Sequence, residues 1–154
     1  MTGEKVLNMP EIHDLTITSI AYIEERSYLI TASKDHTSKH YCLIINNSHF
    51  IVKVWNRNGL LHSIKGHMQS ITGILVPPPS CHLPPETPYF LSCSMDGAIL
   101  LWNAESGHCE YRNETTYEWL GMRWLSGTSL LSFAHNGVWI WSITQSFGRF
   151  TNIL

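Results

Sequence analysis

His67, Ser92 and Asp96 are the residue types of a hydrolytic triad, in which a base activates a hydroxyl and a carboxylate orients the base. No Gly-x-Ser-x-Gly elbow, oxyanion loop or second carboxylate accompanies them, so a hydrolase is carried only as an alternative. Cys81-His82 and His108-Cys109 are soft metal-ligand types. Adjacent pairs lack the C-x2-4-C spacing that lets two side chains converge on one ion, so no metal is expected. A zinc clip made of Cys81, His82, His108 and Cys109 is the arrangement to test. Phosphate-cradling glycine loops, H-E-x-x-H and paired-carboxylate motifs are absent, which removes the usual sequence grounds for a cofactor. Trp119, Trp124 and Trp139 could stack on bases. Without a basic groove beside them, a packing role is expected.

The elements that would position these residues must come from a chain of 154 residues, suited to one domain. Hydrophobic residues make up 44% and charged residues 14%, the balance of a globular protein and not of a disordered tail. The formal net charge of -2, with no run of Lys or Arg, argues against nucleic acid or an anionic membrane as partner. Met1 to Pro10 lacks the apolar core of a signal peptide, and no stretch approaches the roughly 20 apolar residues that span a bilayer. A cytoplasmic or other intracellular soluble location is therefore expected. Cys42, Cys81, Cys93 and Cys109 then read as reduced thiols, and the sequons at Asn46 and Asn113 carry little weight.

Apolar residues fall in short β-rich runs between turn residues, not at helical spacing, so the fold is expected to be all-β. Strands are predicted from Thr16 to Tyr22 at one end through to Val138 to Ile143 at the other. Between them lie turn sequences such as Asn58-Gly59, Met95-Asp96-Gly97, Ser106-Gly107 and Asn136-Gly137.

A strand ending in Trp recurs as Val52-Lys53-Val54-Trp55, Ile99-Leu100-Leu101-Trp102 and Val138-Trp139-Ile140-Trp141. The second unit is the fullest, with Gly66-His67 at its start, Leu91-Ser92-Cys93-Ser94-Met95-Asp96-Gly97 in the middle and Trp102-Asn103 at its close. In these features the chain resembles the WD-repeat family, although Asn103 stands where the family usually has Asp. With the inserted residues left out, the Trp-to-Trp period is close to the roughly 40 to 45 residues of that repeat. The resemblance implies an internal network of His, Ser or Thr, Asp and Trp, satisfied by His67, Ser92, Asp96 and Trp102 and by His13, Thr31, Asp35 and Trp55. In the third unit spacing puts Asn113, Leu131 and His135 at the matching places, so only Trp141 of its network is expected to survive.

The resemblance further implies a partial β-propeller of about three four-stranded antiparallel blades. Closed propellers have typically about 4 to 8 blades, so this one is expected to be open. A single array over 1-154 divides into units 11-64, 65-112 and 113-144, with insertions at 38-51 and 77-88 and a tail at 145-154. The first insertion could form a hairpin turning at Asn46-Asn47. The function implied is a non-catalytic scaffold that binds other proteins, with Asp14, Lys34, Met68, Gln69 and Met95 on the presenting face. A truncated isoform or fragment with little independent function, prone to self-association through open edges, is the alternative.

Overall fold

The structure, a computed structural model, describes residues 12–34 and 50–143, and the backbone of 150–152. Among the described residues twelve strands form three four-stranded antiparallel sheets, each ordered as it runs in the chain. The first sheet holds β1 (Ile17–Ile23), β2 (Tyr28–Ser33), β3 (Phe50–Asn56) and β4 (Gly59–His67). The second holds β5 (Ile71–Leu75), β6 (Tyr89–Ser94), β7 (Ala98–Asn103) and β8 (Cys109–Glu114). The third holds β9 (Gly121–Trp124), β10 (Ser129–Ala134), β11 (Gly137–Ile143) and β12 (Phe150–Asn152). The all-β expectation of four-stranded blades that do not close is what the structure shows. Phe150–Asn152, read from sequence as part of a tail, pairs with β11 and completes the third sheet.

Turn chemistry sets the registers. The Asn56 carboxamide accepts the Asn58 amide at 2.8 Å and so bends the β3–β4 connection. Between β6 and β7, Gly97 has φ +85 and lies against the Thr115 carbonyl with no room for a Cβ, so only glycine fits that turn. β10 and β11 are joined by His135 and Asn136 alone, since Ala134 already pairs with Gly137.

The sheets stack face to face, with β1, β5 and β9 as neighbouring strands. Strand alternation gives each sheet two faces. Here the face that carries the repeated Trp is called the front. Ile30, Ala32, Val52 and Val54, on the back of the first sheet, pack against Ile74, Phe90, Leu100 and Trp102 on the front of the second. Leu91, Cys93, Ile99 and Leu101, on the back of the second, pack against Met122, Leu130, Trp141 and Ile143 on the front of the third. A sheet of this size cannot bury both faces alone, and this back-on-front stacking supplies the burial.

Polar bonds pin the stack. The Ile74 amide donates to Ser19 Oγ at 3.0 Å between sheets one and two, and Thr72 Oγ1 donates to the Trp119 carbonyl at 2.7 Å between sheets two and three. The proline-rich connection between β5 and β6 also reaches both neighbours. Arg26 donates to the Glu86 carbonyl at 2.8 Å, Trp124 Nε1 donates to the Val76 carbonyl at 2.9 Å, and Ser80 packs directly on Gly127. Asp35 and residues 38–49 of the first insertion, with its expected hairpin turn, lie outside the described residues.

Candidate protein-interaction face

His67 closes β4, Ser92 lies in β6, Asp96 occupies the β6–β7 turn and Trp102 ends in β7, so four separate segments converge. Trp102 Nε1 donates to Ser92 Oγ at 2.8 Å, and Ser92 Oγ lies 2.6 Å from His67 Nε2. The Asp96 carboxylate lies 3.2 Å and 3.3 Å from His67 Nδ1, and accepts the amides of Met68 at 2.7 Å and Ala98 at 2.9 Å. A carboxylate only accepts, so the imidazole proton sits on Nδ1. The Ser92 hydroxyl can then donate to Nε2 while accepting the indole N–H, and every group in the chain is satisfied. Burial works to raise the Asp96 carboxyl, but its hydrogen bond with His67 and the two amide donors hold it at about 2.

This is triad geometry without triad access. Ser92 is 0% exposed and His67 is 1% exposed, and the indole N–H of Trp102 already occupies the hydroxyl oxygen. The group therefore ties the end of β4 to the turn after β6 and fixes the backbone of Met68.

The first sheet repeats the pattern. His13 Nε2 lies 2.7 Å from Thr31 Oγ1, which also accepts Trp55 Nε1 at 3.0 Å. Lys53 reaches past the Trp55 ring to the Ile12 carbonyl, at 2.6 Å.

The third sheet differs from the expectation. Trp141 Nε1 donates to Ser132 Oγ at 2.7 Å, so the hydroxyl partner survives there and Leu131 is not the matching residue. Register explains the correction. Trp55, Trp102 and Trp141 pair with Leu29, Phe90 and Leu130, and each hydroxyl stands two residues beyond that partner. Spacing missed it because the turn in the third unit has two residues, His135 and Asn136, where the second has three. Reading Asn136-Gly137 as the turn pair would not have shown this, because Gly137 already lies in β11 opposite Ala134. Tyr117 lies as far ahead of β9 as His13 lies ahead of β1 and His67 ahead of β5. In place of a histidine bond, Tyr117, Trp119, Trp139 and Trp141 form an aromatic cluster, with Trp119 meeting Trp139 edge-on at 5.1 Å and donating to the Gly97 carbonyl at 3.1 Å.

Met68, Gln69 and Met95 surround the Asp96 turn. The Met95 amide donates to the Ser70 carbonyl at 3.0 Å, and Ser94 Oγ donates to the Gln69 carbonyl at 3.0 Å. Met68 is 61% exposed, Gln69 is exposed and Met95 is half-buried. Asp14 and Lys34 are exposed at the corresponding end of the first sheet, where the Lys34 amide bonds the Thr16 carbonyl.

The cysteine–histidine pairs are not brought together. Cys81 packs against the core between sheets two and three. Cys109 opens β8 opposite Trp102, on the side facing sheet one. No group of three or more His, Cys, Asp or Glu among the described residues could hold a metal ion. Burial raises the thiols of Cys81 and Cys109, and pushes Cys93 up to about 11. No helix among the described residues is long and apolar enough to cross a membrane.

Residues 58–103, which contain the whole Ser92 network, match the family described as WD domain, G-beta repeat. This segment is a WD repeat. The chain is also 29% identical over 97 residues to human WD repeat-containing protein 97, covering 62% of this chain and 5% of that protein. Among solved structures it is similar to the computationally designed Ika8 protein, with a TM-score of 0.62 and 18% identity over 90% of this chain and 37% of that one. It is likewise similar to the Cps50 (Swd1) β-propeller domain of Myceliophteria thermophila, with a TM-score of 0.64 and 12% identity over 92% of this chain and 39% of that one. The fold around the WD repeat is thus part of a β-propeller. The chain spans about a twentieth of the length of its curated relative and under two fifths of each structure.

Proposed function

We propose that this chain is a non-catalytic WD-repeat scaffold that binds other proteins through the end of its sheets bearing His13, His67 and the Asp96 turn. Asp14, Lys34, Met68, Gln69 and Met95 are the contact residues. The observation that carries this reading is Met68, whose side chain is 61% exposed while its backbone N–H is clamped by Asp96 at 2.7 Å. An apolar side chain held in water on a fixed backbone gains burial when a partner covers it and loses little backbone freedom in doing so. The closed Ser92 site supports the non-catalytic half, because no substrate reaches that hydroxyl without unfolding the repeat. The three units act as one domain, in the cytoplasm or another intracellular compartment. Its partners are proteins, not nucleic acid or membrane, in keeping with the net charge of -2.

Quantitative affinity capture with the wild-type chain, Met68→Glu and a control variant at the opposite end, Leu125→Glu, tests this. Proteins retained by wild type and the control and lost with Met68→Glu are the expected result. Identical sets with all three overturn the reading. The competing idea, a piece with little independent function, predicts large aggregates in light scattering and unprotected amides in hydrogen exchange.

A further inference from the structure

Two sheet faces are left without a neighbouring sheet among the described residues, and they are of opposite kinds. One is the front of the first sheet, where Ile20 is 65% exposed, Tyr22 is 55% exposed and Leu60 is 48% exposed. Register places all three on the face of the network, since Ile20 pairs with Thr31, Tyr22 with Leu29 and Leu60 with Trp55. The other is the back of the third sheet, where the paired residues Phe133 and Val138 are 37% and 54% exposed, with Leu131 and Ile140 beside them. Inside the chain a back always receives a front, once between sheets one and two and again between sheets two and three. The uncovered back and the uncovered front are thus the two halves of a contact the molecule already makes twice.

We propose that a second copy of this chain covers them, the back of its third sheet on the front of the first sheet and the reverse at the other end. Such a front-to-back contact is heterologous, so it either closes a ring or runs on as a filament. Propellers close with typically about 4 to 8 blades, and two copies of the three described sheets give six, whereas three copies would give nine. The assembly is a closed dimer with two identical contacts. It does not use the surface around Met68, so either proposal can fail without the other.

Sedimentation equilibrium of the 154-residue chain tests it. Wild type is expected at twice the chain mass of 17.6 kDa. Ile20→Glu on the front and Val138→Glu on the back each place an exposed carboxylate where an apolar contact must form. Each damages both contacts of the dimer, weakening it by at least about a hundredfold, roughly tenfold per contact. Near-ultraviolet circular dichroism confirms that each variant is folded, and Tyr22→Lys serves as a second front variant. A folded wild-type monomer overturns the proposal, as do open filaments. Dissociation by only one of the two faces also overturns it.

Discussion

Asp96→Asn tests how much of the second sheet rests on one carboxylate. The folded chain holds Asp96 at about 2 against an ordinary 3.8, through His67 and the amides of Met68 and Ala98. Its side chain is 9% exposed, so solvent screening discounts the effect little. The corresponding stabilisation is roughly 2.5 kcal/mol, a sizeable share of the roughly 5–15 kcal/mol that holds an ordinary domain folded. The sign follows from the lowered value. The stabilisation is fully present above the unfolded value near 3.8 and is lost as pH falls through that value toward 2. In urea unfolding followed by tryptophan fluorescence from pH 6 to pH 2, wild type should lose most of that amount, about 2 kcal/mol, beyond what Asp96→Asn loses. The other carboxyl groups are common to both chains and cancel in the difference. At neutral pH the variant should be less stable by about 2–4 kcal/mol, since its NH2 group cannot accept from donors already aimed at that oxygen. Parallel acid profiles, or a neutral-pH loss below about 0.5 kcal/mol, would refute the reasoning.

Three further substitutions probe neighbouring features. Gly66→Ala places a Cβ about 2.5 Å from the buried Trp102 ring and should cost about 1–3 kcal/mol, read as a lower melting temperature with altered tryptophan fluorescence; an unchanged melting temperature contradicts the packing. Ser132→Ala removes the acceptor of the Trp141 indole and should cost about 1–3 kcal/mol in urea unfolding, whereas a neutral outcome means the third sheet does not use that bond. Ser92→Ala should destabilise by a similar amount in the same assay. If it instead abolished turnover of an ester without lowering stability, the Ser92 group would be a catalyst and not a tie.

The strands were legible because their alternating β-branched and apolar runs end in strong turn residues, and Trp55, Trp102 and Trp141 mark matching places in three repeats. The meeting of His67, Ser92, Asp96 and Trp102 was legible through the resemblance to the WD repeat, whose network implies those residue types at those places. Spacing hid Ser132, because a turn one residue shorter slides the count by one while leaving the strand register intact. Phe150–Asn152 carried too little pattern to read as a strand. It pairs because β11 offers it an edge. The bonds from Arg26, Trp119 and Trp124 to other sheets are tertiary, and no local period encodes which carbonyl such a side chain will find.

The proline-rich connection between β5 and β6 bears on how the chain comes apart. Stacked repeats ordinarily touch only their neighbours, and their stability then behaves like that of beads on a line, able to fray from either end. Here one segment of the middle sheet is bonded to Arg26 on one side and to Trp124 on the other, where it also packs on Gly127. Loosening either outer sheet therefore strains the connection that also holds the opposite one, and prolines leave that connection little slack to absorb the strain. Both contacts of the middle sheet thus lean on one segment, and a single unfolding transition is expected in place of stepwise peeling.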